Sequence, residues 1–302
     1  MTAHGTAGPL RIATRGSRLA RWQAEWIAHR LGVPVEFVVV ETTGDVRVDT
    51  PIHTIGGTGV FVKEVQHAVL DGRADLAVHS AKDLPAAPTP GLAIAAVPPR
   101  ADARDALVGS TLAAVPSGGV VATGAVRRRA QLAAARPDIE FAELRGNIDT
   151  RLRKAQEFSA IVVALAALER LGLRDRVAEA LAPEVVLPQV GQGALAVECR
   201  ADDTSTHAAL RTLDDAGTHA CLTAERTFLA DLGGGCELPC GAYARPVSGG
   251  FVIDALLAGL DGTVVARAHA EGHDPVELGH TVARLVLDEH GGRALLEEVR
   301  PA

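Results

Sequence analysis

Short apolar runs that take turns with helical patterns constrain this chain more than any other feature of its sequence. Leu10 to Ala13, Val35 to Val40, Leu76 to Val78, Leu92 to Val97, Val120 to Ala122, Ile139 to Leu144 and Ala160 to Ala164 read as strands, being short, apolar and bounded by turn residues. Between them, Ser17 is placed to cap a helix running through Trp22, Trp26 and Ile27 to Leu31 before Gly32, and Val60 to Leu70 and Val126 to Ala135 carry helical periodicity. Strands alternating with helices predict parallel α/β sheets. Aromatic residues make up only 3% of the chain, so its cores must be filled by Val, Leu, Ile and Ala, which suits such sheets covered by small-residue helices.

From about Ala216 the pattern changes. A helix through Leu222, Ala224 and Phe228 leads to a glycine loop, two strands near Phe251 to Leu256 and Thr263 to Ala268, and a helix from Val276 to Leu287, which predicts an α+β unit. A chain of 302 residues is long enough for two or three domains. Pro98-Pro99 and Leu187 to Gly193 read as crossings between the first two units.

Net charge is −7, which argues against a general affinity for nucleic acid or anionic membrane, although a local basic cluster can outweigh the global sign. The longest apolar run, Ile161 to Leu168, is far short of the ~20 residues a bilayer requires. The first ten residues have neither a basic nor an apolar export region, so a cytoplasmic protein is expected. Cys199, Cys221, Cys236 and Cys240 are too few for a disulfide framework and are expected to be thiols.

Four places could carry chemistry. His79-Ser80-Ala81-Lys82-Asp83 directly follows a buried strand, where ligands of open α/β sheets sit, and Asp83 is the best acid/base candidate there. His79 by itself reads as a packed histidine. Thr123-Gly124-Ala125-Val126-Arg127-Arg128-Arg129 takes a strand through a glycine into a helix whose free amides invite an anion. Of its three arginines, one or two are expected to face the ligand and the rest water. Leu144 to Arg151 repeats the strand, turn and helix with Arg145 and Arg151 at its flanks. With Arg15, Arg170 and Lys82 these groups could bind a ligand carrying several carboxylates or phosphates. Gly233-Gly234-Gly235-Cys236 presents a thiol on a loop whose backbone lets a bulky group approach. No metal site is expected, since His219 and Cys221 lie two apart on a helix and point to different faces. No dinucleotide fingerprint or P-loop follows a strand, which disfavours a nucleotide enzyme.

Read in order, LRIATRGSRLA, GGTGVFVKE, DLAVHSAKDLP, RRRAQL, LRGNIDTRL, LPQVGQGALAVECR, TAERTFLADLGGGC and PCGAYA resemble the porphobilinogen deaminase family, also called hydroxymethylbilane synthases, over nearly the whole chain. The resemblance implies an α/β protein of three domains: two similar to type II periplasmic binding protein halves (1–98 with 194–211, and 99–193) and a smaller α+β domain (216–302) bearing the reactive cysteine. It implies a dipyrromethane cofactor joined by a thioether to Cys236, onto which four porphobilinogen molecules are added before water releases hydroxymethylbilane. Asp83 would stabilise the cationic azafulvene formed when porphobilinogen loses ammonia, and help move protons. Lys82, Ser17, Thr123, Arg127, Arg128 and Arg151 would hold the cofactor, and Arg15, Arg145 and Arg170 the substrate. A monomer is expected. The chain departs from the bacterial pattern of the family, which often has Arg at Thr43, Lys at Thr54 and Thr58, and serines at Gly124 and Ala125. A non-catalytic anion-binding protein on the same scaffold is the alternative, but it would need neither Asp83 nor Cys236.

Overall fold

The computed structural model describes residues 8–42, 62–234 and 238–299. Thirteen strands among them form three sheets. The first holds β1 (Leu10–Arg15), β2 (Val35–Val40), β3 (Leu76–Ser80), β4 (Leu92–Ala96) and, from far along the chain, β10 (Leu195–Arg200), in the order β2-β1-β3-β10-β4. The second holds β5 (Asp105–Val108), β6 (Val120–Ala122), β7 (Glu140–Ala142), β8 (Ala160–Ala164) and β9 (Glu179–Ala180), in the order β7-β6-β8-β5-β9. The third is an antiparallel meander of β11 (Cys240–Val247), β12 (Gly250–Ala258) and β13 (Val265–Gly272).

The first two sheets are mixed rather than purely parallel, which corrects the expectation from strand and helix alternation. β1 runs parallel to β2 and β3, but β10 enters between β3 and β4 antiparallel to both. Likewise β6 is parallel to β7 and β8, while β5 is antiparallel to β8 and β9. The cause is the double crossing: β5 and β10 are the first strands after each one, so neither is reached through a right-handed helical crossover that would force parallel pairing. Pairing with β10 also carries β3 on through His79 and Ser80, two residues beyond the apolar run.

The helices are α1 (Arg18–Leu31), α2 (Lys63–Leu70), α3 (Val126–Ala135), α4 (Ile148–Lys154), α5 (Leu165–Arg170), α6 (Thr204–Leu210), α7 (Ala216–Asp231), α8 (Pro275–Arg284) and α9 (Gly292–Val299). Ser17 caps α1, its Oγ accepting from the Ala20 amide, and Gly32 ends the helix at φ 65°, a left-handed conformation that favours glycine. As composition requires, aliphatic side chains fill the cores. Ile12, Ile27, Leu76 and Val197 pack beneath the first sheet, and Leu107, Leu132, Ile161 and Leu165 in the second unit; Phe228 of α7 anchors the third.

The crossings are pinned by buried polar groups. Glu225 of α7, wholly buried, pairs with Arg100 at 2.5 Å and accepts from the Gly191 and Ala244 amides at 2.7 and 2.8 Å. Gln192 donates to Ala103 O and Asp105 Oδ1 at 2.7 and 2.8 Å. A lone buried charge would be costly, and here each has a partner.

Candidate functional site

The Asp83 turn sits where β3 ends. One 3₁₀ turn, Ala81–Asp83, folds back after Ser80, whose Oγ accepts from Gln23 Nε2 at 2.8 Å. The second crossing packs onto this turn: the Ala81 amide donates to Ala194 O at 3.1 Å, and Gln189 Nε2 to Lys82 O at 3.2 Å. Gly191 makes the approach possible, being at φ 71° with a Cβ position only 3.0 Å from the Lys82 amide nitrogen. Asp83 is half-buried and lines a cavity of about 60 Å³ with Arg15, Gln23, His79 and Ser80.

Lys82 and Arg151 both feel this carboxylate, and Arg170 ends a nearby helix. Lys82 Nζ donates to Gln192 Oε1 at 3.2 Å, and burial, with the field of Arg128, pushes its amine down to about 8 against the pull of Asp83 and Asp105. Arg151, on α4, donates Nε to Gly146 O at 2.8 Å, and burial with the nearby Arg128 lowers it to about 10. Arg170, at the end of α5, donates to Gly193 O at 2.7 Å and lies 5.9 Å over the Trp22 ring, and burial lowers it also to about 10. Among the described residues neither Arg151 nor Arg170 forms a salt bridge, and Asp83 acts on Arg151 from further off.

Arg127 and Arg128 behave differently. The sequence predicts that one or two of the three consecutive arginines face a ligand, yet both are buried on Asp105 and only Arg129 is exposed. Arg127 Nη2 lies 2.8 Å from Asp105 Oδ2 and its Nη1 donates to Leu187 O at 2.5 Å. Arg128 donates Nε and Nη2 to Asp105 Oδ1 at 3.0 and 2.7 Å, and Nη1 to Val162 O. Burial opposes the charge on Asp105, but the two guanidinium groups hold its carboxyl well below the usual range. Two cations on one anion leave one positive charge in excess, close enough to act on Lys82 and Arg151. The excess field, rather than two open guanidinium faces, is what this pair presents.

The remaining candidates are local. Arg15 ends β1 and lines the cavity. Buried Thr123 accepts from the Ala125 amide at 3.3 Å, and Arg145 lies 3.3 Å from exposed Glu143. A Cβ at Gly124 would meet Leu144 O at 2.6 Å, so the serine of the family pattern would need that turn to shift. Cys236 lies outside the described residues, as do Thr43, Thr54 and Thr58. Cys240 is buried and begins β11. His219 sits beside Asp214 at 2.8 Å while Cys221 is buried, so the two do face apart. Sequence reasoning missed Asp105, whose signal was an acid heading the apolar run Ala106 to Val108, and it passed over Gln23 in the helical pattern of α1.

Arg151 and Arg170, which form no salt bridge among the described residues, suit a ligand with several carboxylates, and a dipyrromethane bearing acetate and propionate groups is one. The comparisons agree. The family model described as porphobilinogen deaminase, dipyromethane cofactor binding domain, matches residues 10–208, and the porphobilinogen deaminase C-terminal domain matches residues 219–288. A porphobilinogen deaminase of Roseiflexus sp. (strain RS-1) is 46% identical over 296 residues, covering 94% of this chain and 97% of the relative. Solved structures similar to this chain include the VFT2 domain of BvgS from Bordetella pertussis, 16% identical with a TM-score of 0.39, covering 72% of this chain and 91% of that one. A periplasmic His/Glu/Gln/Arg/opine family-binding protein from Silicibacter pomeroyi is 13% identical with a TM-score of 0.35, covering 72% and 94%. With both family models matched in order and a relative 46% identical along almost its whole length, this chain belongs to the porphobilinogen deaminase family.

Proposed function

We propose that Asp83, with Lys82, Arg15 and Arg151 about it, is the carboxylate around which this enzyme's reaction is organised. As a porphobilinogen deaminase the chain is a transferase that joins four porphobilinogen molecules head to tail and releases hydroxymethylbilane. When bound, the dipyrromethane supplies the pyrrole end to which each new unit is joined. Loss of ammonia leaves positive charge on the substrate pyrrole, and a fixed carboxylate beside its N–H stabilises that charge without reorganising. The half-buried setting of Asp83 strengthens the interaction, because less water screens it.

Acetate and propionate groups would be met by Lys82, Arg151 and Arg170, the excess charge of Arg127 and Arg128, Arg15 at the end of β1 and Arg145 beyond β7. Ser17 and Thr123 would add hydrogen bonds. The thioether would form at Cys236 and not at Cys240, which is buried in β11. The three sheets support domains at 1–98 with 194–211, at 99–193 and at 216–302. A monomer in the cytoplasm, without nucleic acid, completes the reading; no helix of the described residues is long and apolar enough to cross a membrane.

One observation carries the site assignment: the half-buried carboxylate of Asp83 shares its cavity with Arg15 and acts on both Lys82 and Arg151. Purified protein should stain pink with Ehrlich's reagent after denaturation and consume porphobilinogen, whereas an anion-binding protein would do neither.

A further inference from the structure

A buried acid and imidazole lie directly behind the Asp83 turn, and nothing in the reading above uses them. His79 of β3 stands opposite Ala196 of β10, and Ala77 opposite Glu198, so His79 and Glu198 are diagonal neighbours on one face of the sheet. Their side chains are 4% and 6% exposed, with His79 Nε2 3.1 Å from Glu198 Oε2. Gln66 of α2 donates Nε2 to the same oxygen at 2.8 Å, and Thr89 donates to Gln66 Oε1 at 3.1 Å. Burial opposes charge on Glu198, but the adjacent His79 ring, the hydrogen bond from Gln66 and the charge of Arg226 on α7 hold its carboxyl below the ordinary range. A carboxylate facing Nε2 keeps the proton on that nitrogen and leaves the other ring nitrogen to gain or lose one. His79 also lines the cavity of about 60 Å³ that Asp83 lines, with Arg15, Gln23 and Ser80, a polar space with room for water.

We propose that His79, held by Glu198, is a positioning residue that exchanges a proton with Asp83 through water in their shared cavity during each addition. The inference rests on reading Asp83 as the charge-balancing group. Joining two pyrroles forms a C–C bond while the C–H bond at the attacking ring carbon breaks and gives up one proton. The amino group takes the electron pair of its C–N bond and needs one proton to leave as ammonia. The two events come at different moments, so a proton must be held between them. Asp83 cannot hold it and still balance a cationic pyrrole. Passing it to His79 restores the carboxylate, and it returns through Asp83 to the next amino group. The charged groups that face this imidazole are Glu198 from β10, with Arg226 of α7 beyond it, and Arg15 and Asp83 across the cavity.

The test uses the holoenzyme. His79→Gln leaves a side-chain amide to face Glu198 but removes the titrating ring. The expected result is an unchanged covalent mass and melting temperature, turnover lower by about tenfold, and a flattened pH–rate profile. Glu198→Gln, which keeps hydrogen-bonding capacity, should flatten the profile in the same way, and it serves if His79→Gln does not fold. In protein labelled with ¹⁵N at histidine, the His79 ring signal should titrate with a midpoint that moves in Asp83→Asn. A wild-type pH–rate profile in the folded variants, or a His79 midpoint unmoved by Asp83→Asn, overturns the proposal. Full activity of Asp83→Asn would instead sink the assignment of Asp83 itself.

Discussion

Charge governs what single residues do at this site. Asp83→Asn keeps volume and removes the carboxylate, so turnover of porphobilinogen should fall about 100-fold or more while circular dichroism stays native. Near-normal turnover in folded protein would contradict it. Lys82 gives a pH signature. Its amine is pushed down to about 8 in the fold while the unfolded chain keeps the ordinary 10.5, so the fold gains stability as pH rises between those values. Ligand carboxylates favour the ammonium form. KM for porphobilinogen should therefore rise as pH passes about 8, and Lys82→Arg, charged throughout, should flatten that rise. An equal rise in both enzymes would show that Lys82 does not meet the substrate. Asp105 is the third residue to probe. Removing it leaves Arg127 and Arg128 buried without their shared anion, so Asp105→Ala should cost about 3–5 kcal/mol in urea unfolding. Arg127→Leu should likewise act through stability as well as through the ligand.

At the scale of elements, the close approaches of the crossings decide what the site can be. Gly193 has φ 85° and a Cβ position 2.6 Å from Ala101 O, so Gly193→Ala should destabilise by more than about 1 kcal/mol and disturb the Gly193 carbonyl that receives Arg170. Chemical unfolding of the variant checks this, and unchanged stability would mean the crossing yields easily. Most elements could be read from the sequence because each declares itself locally. Val35 to Val40, Val120 to Ala122, Val126 to Ala135 and Ala160 to Ala164 fold as their periodicity predicts, and Ser17 caps as its position implies. What could not be read depends on distant partners. β10 looks like any apolar run until β3 and β4 flank it, and His79 belongs to a strand only because Leu195 and Ala196 extend the ladder. The burial of Arg127 and Arg128 was hidden because their anion, Asp105, lies over twenty residues away at the head of β5. In the third sheet alternation shows only two strands, because Tyr243, Arg245 and Pro246 obscure the pattern of β11; its start is marked by Pro239 ahead of Cys240 alone.

At the scale of the whole molecule, the first two units meet across the site through weak outer contacts and strong inner ones. Outside, Arg18 of α1 reaches Asp149 of α4 at 3.2 Å, with both side chains well exposed. Such a pair contributes less than about 1 kcal/mol, so a double-mutant cycle with Arg18→Ala and Asp149→Ala should give a coupling below that and nothing at high salt. A larger coupling would mean the contact locks the units together. Inside, Gln192, Arg100, Glu225 and Asp105 join the crossings to the second and third sheets. Through Gln192 and Gly193 this arrangement fixes Lys82 and Arg170, and the third unit carries the loop that leads to Cys236. The central claim is that this loop bears a covalent dipyrromethane which the cationic site receives. Intact mass spectrometry of the purified protein tests it most directly. The wild type and Cys240→Ser should each carry an added mass of two linked pyrrole units, and Cys236→Ser should carry none. An active wild-type enzyme without the added mass, or an adduct that persists in Cys236→Ser and disappears in Cys240→Ser, would contradict the account.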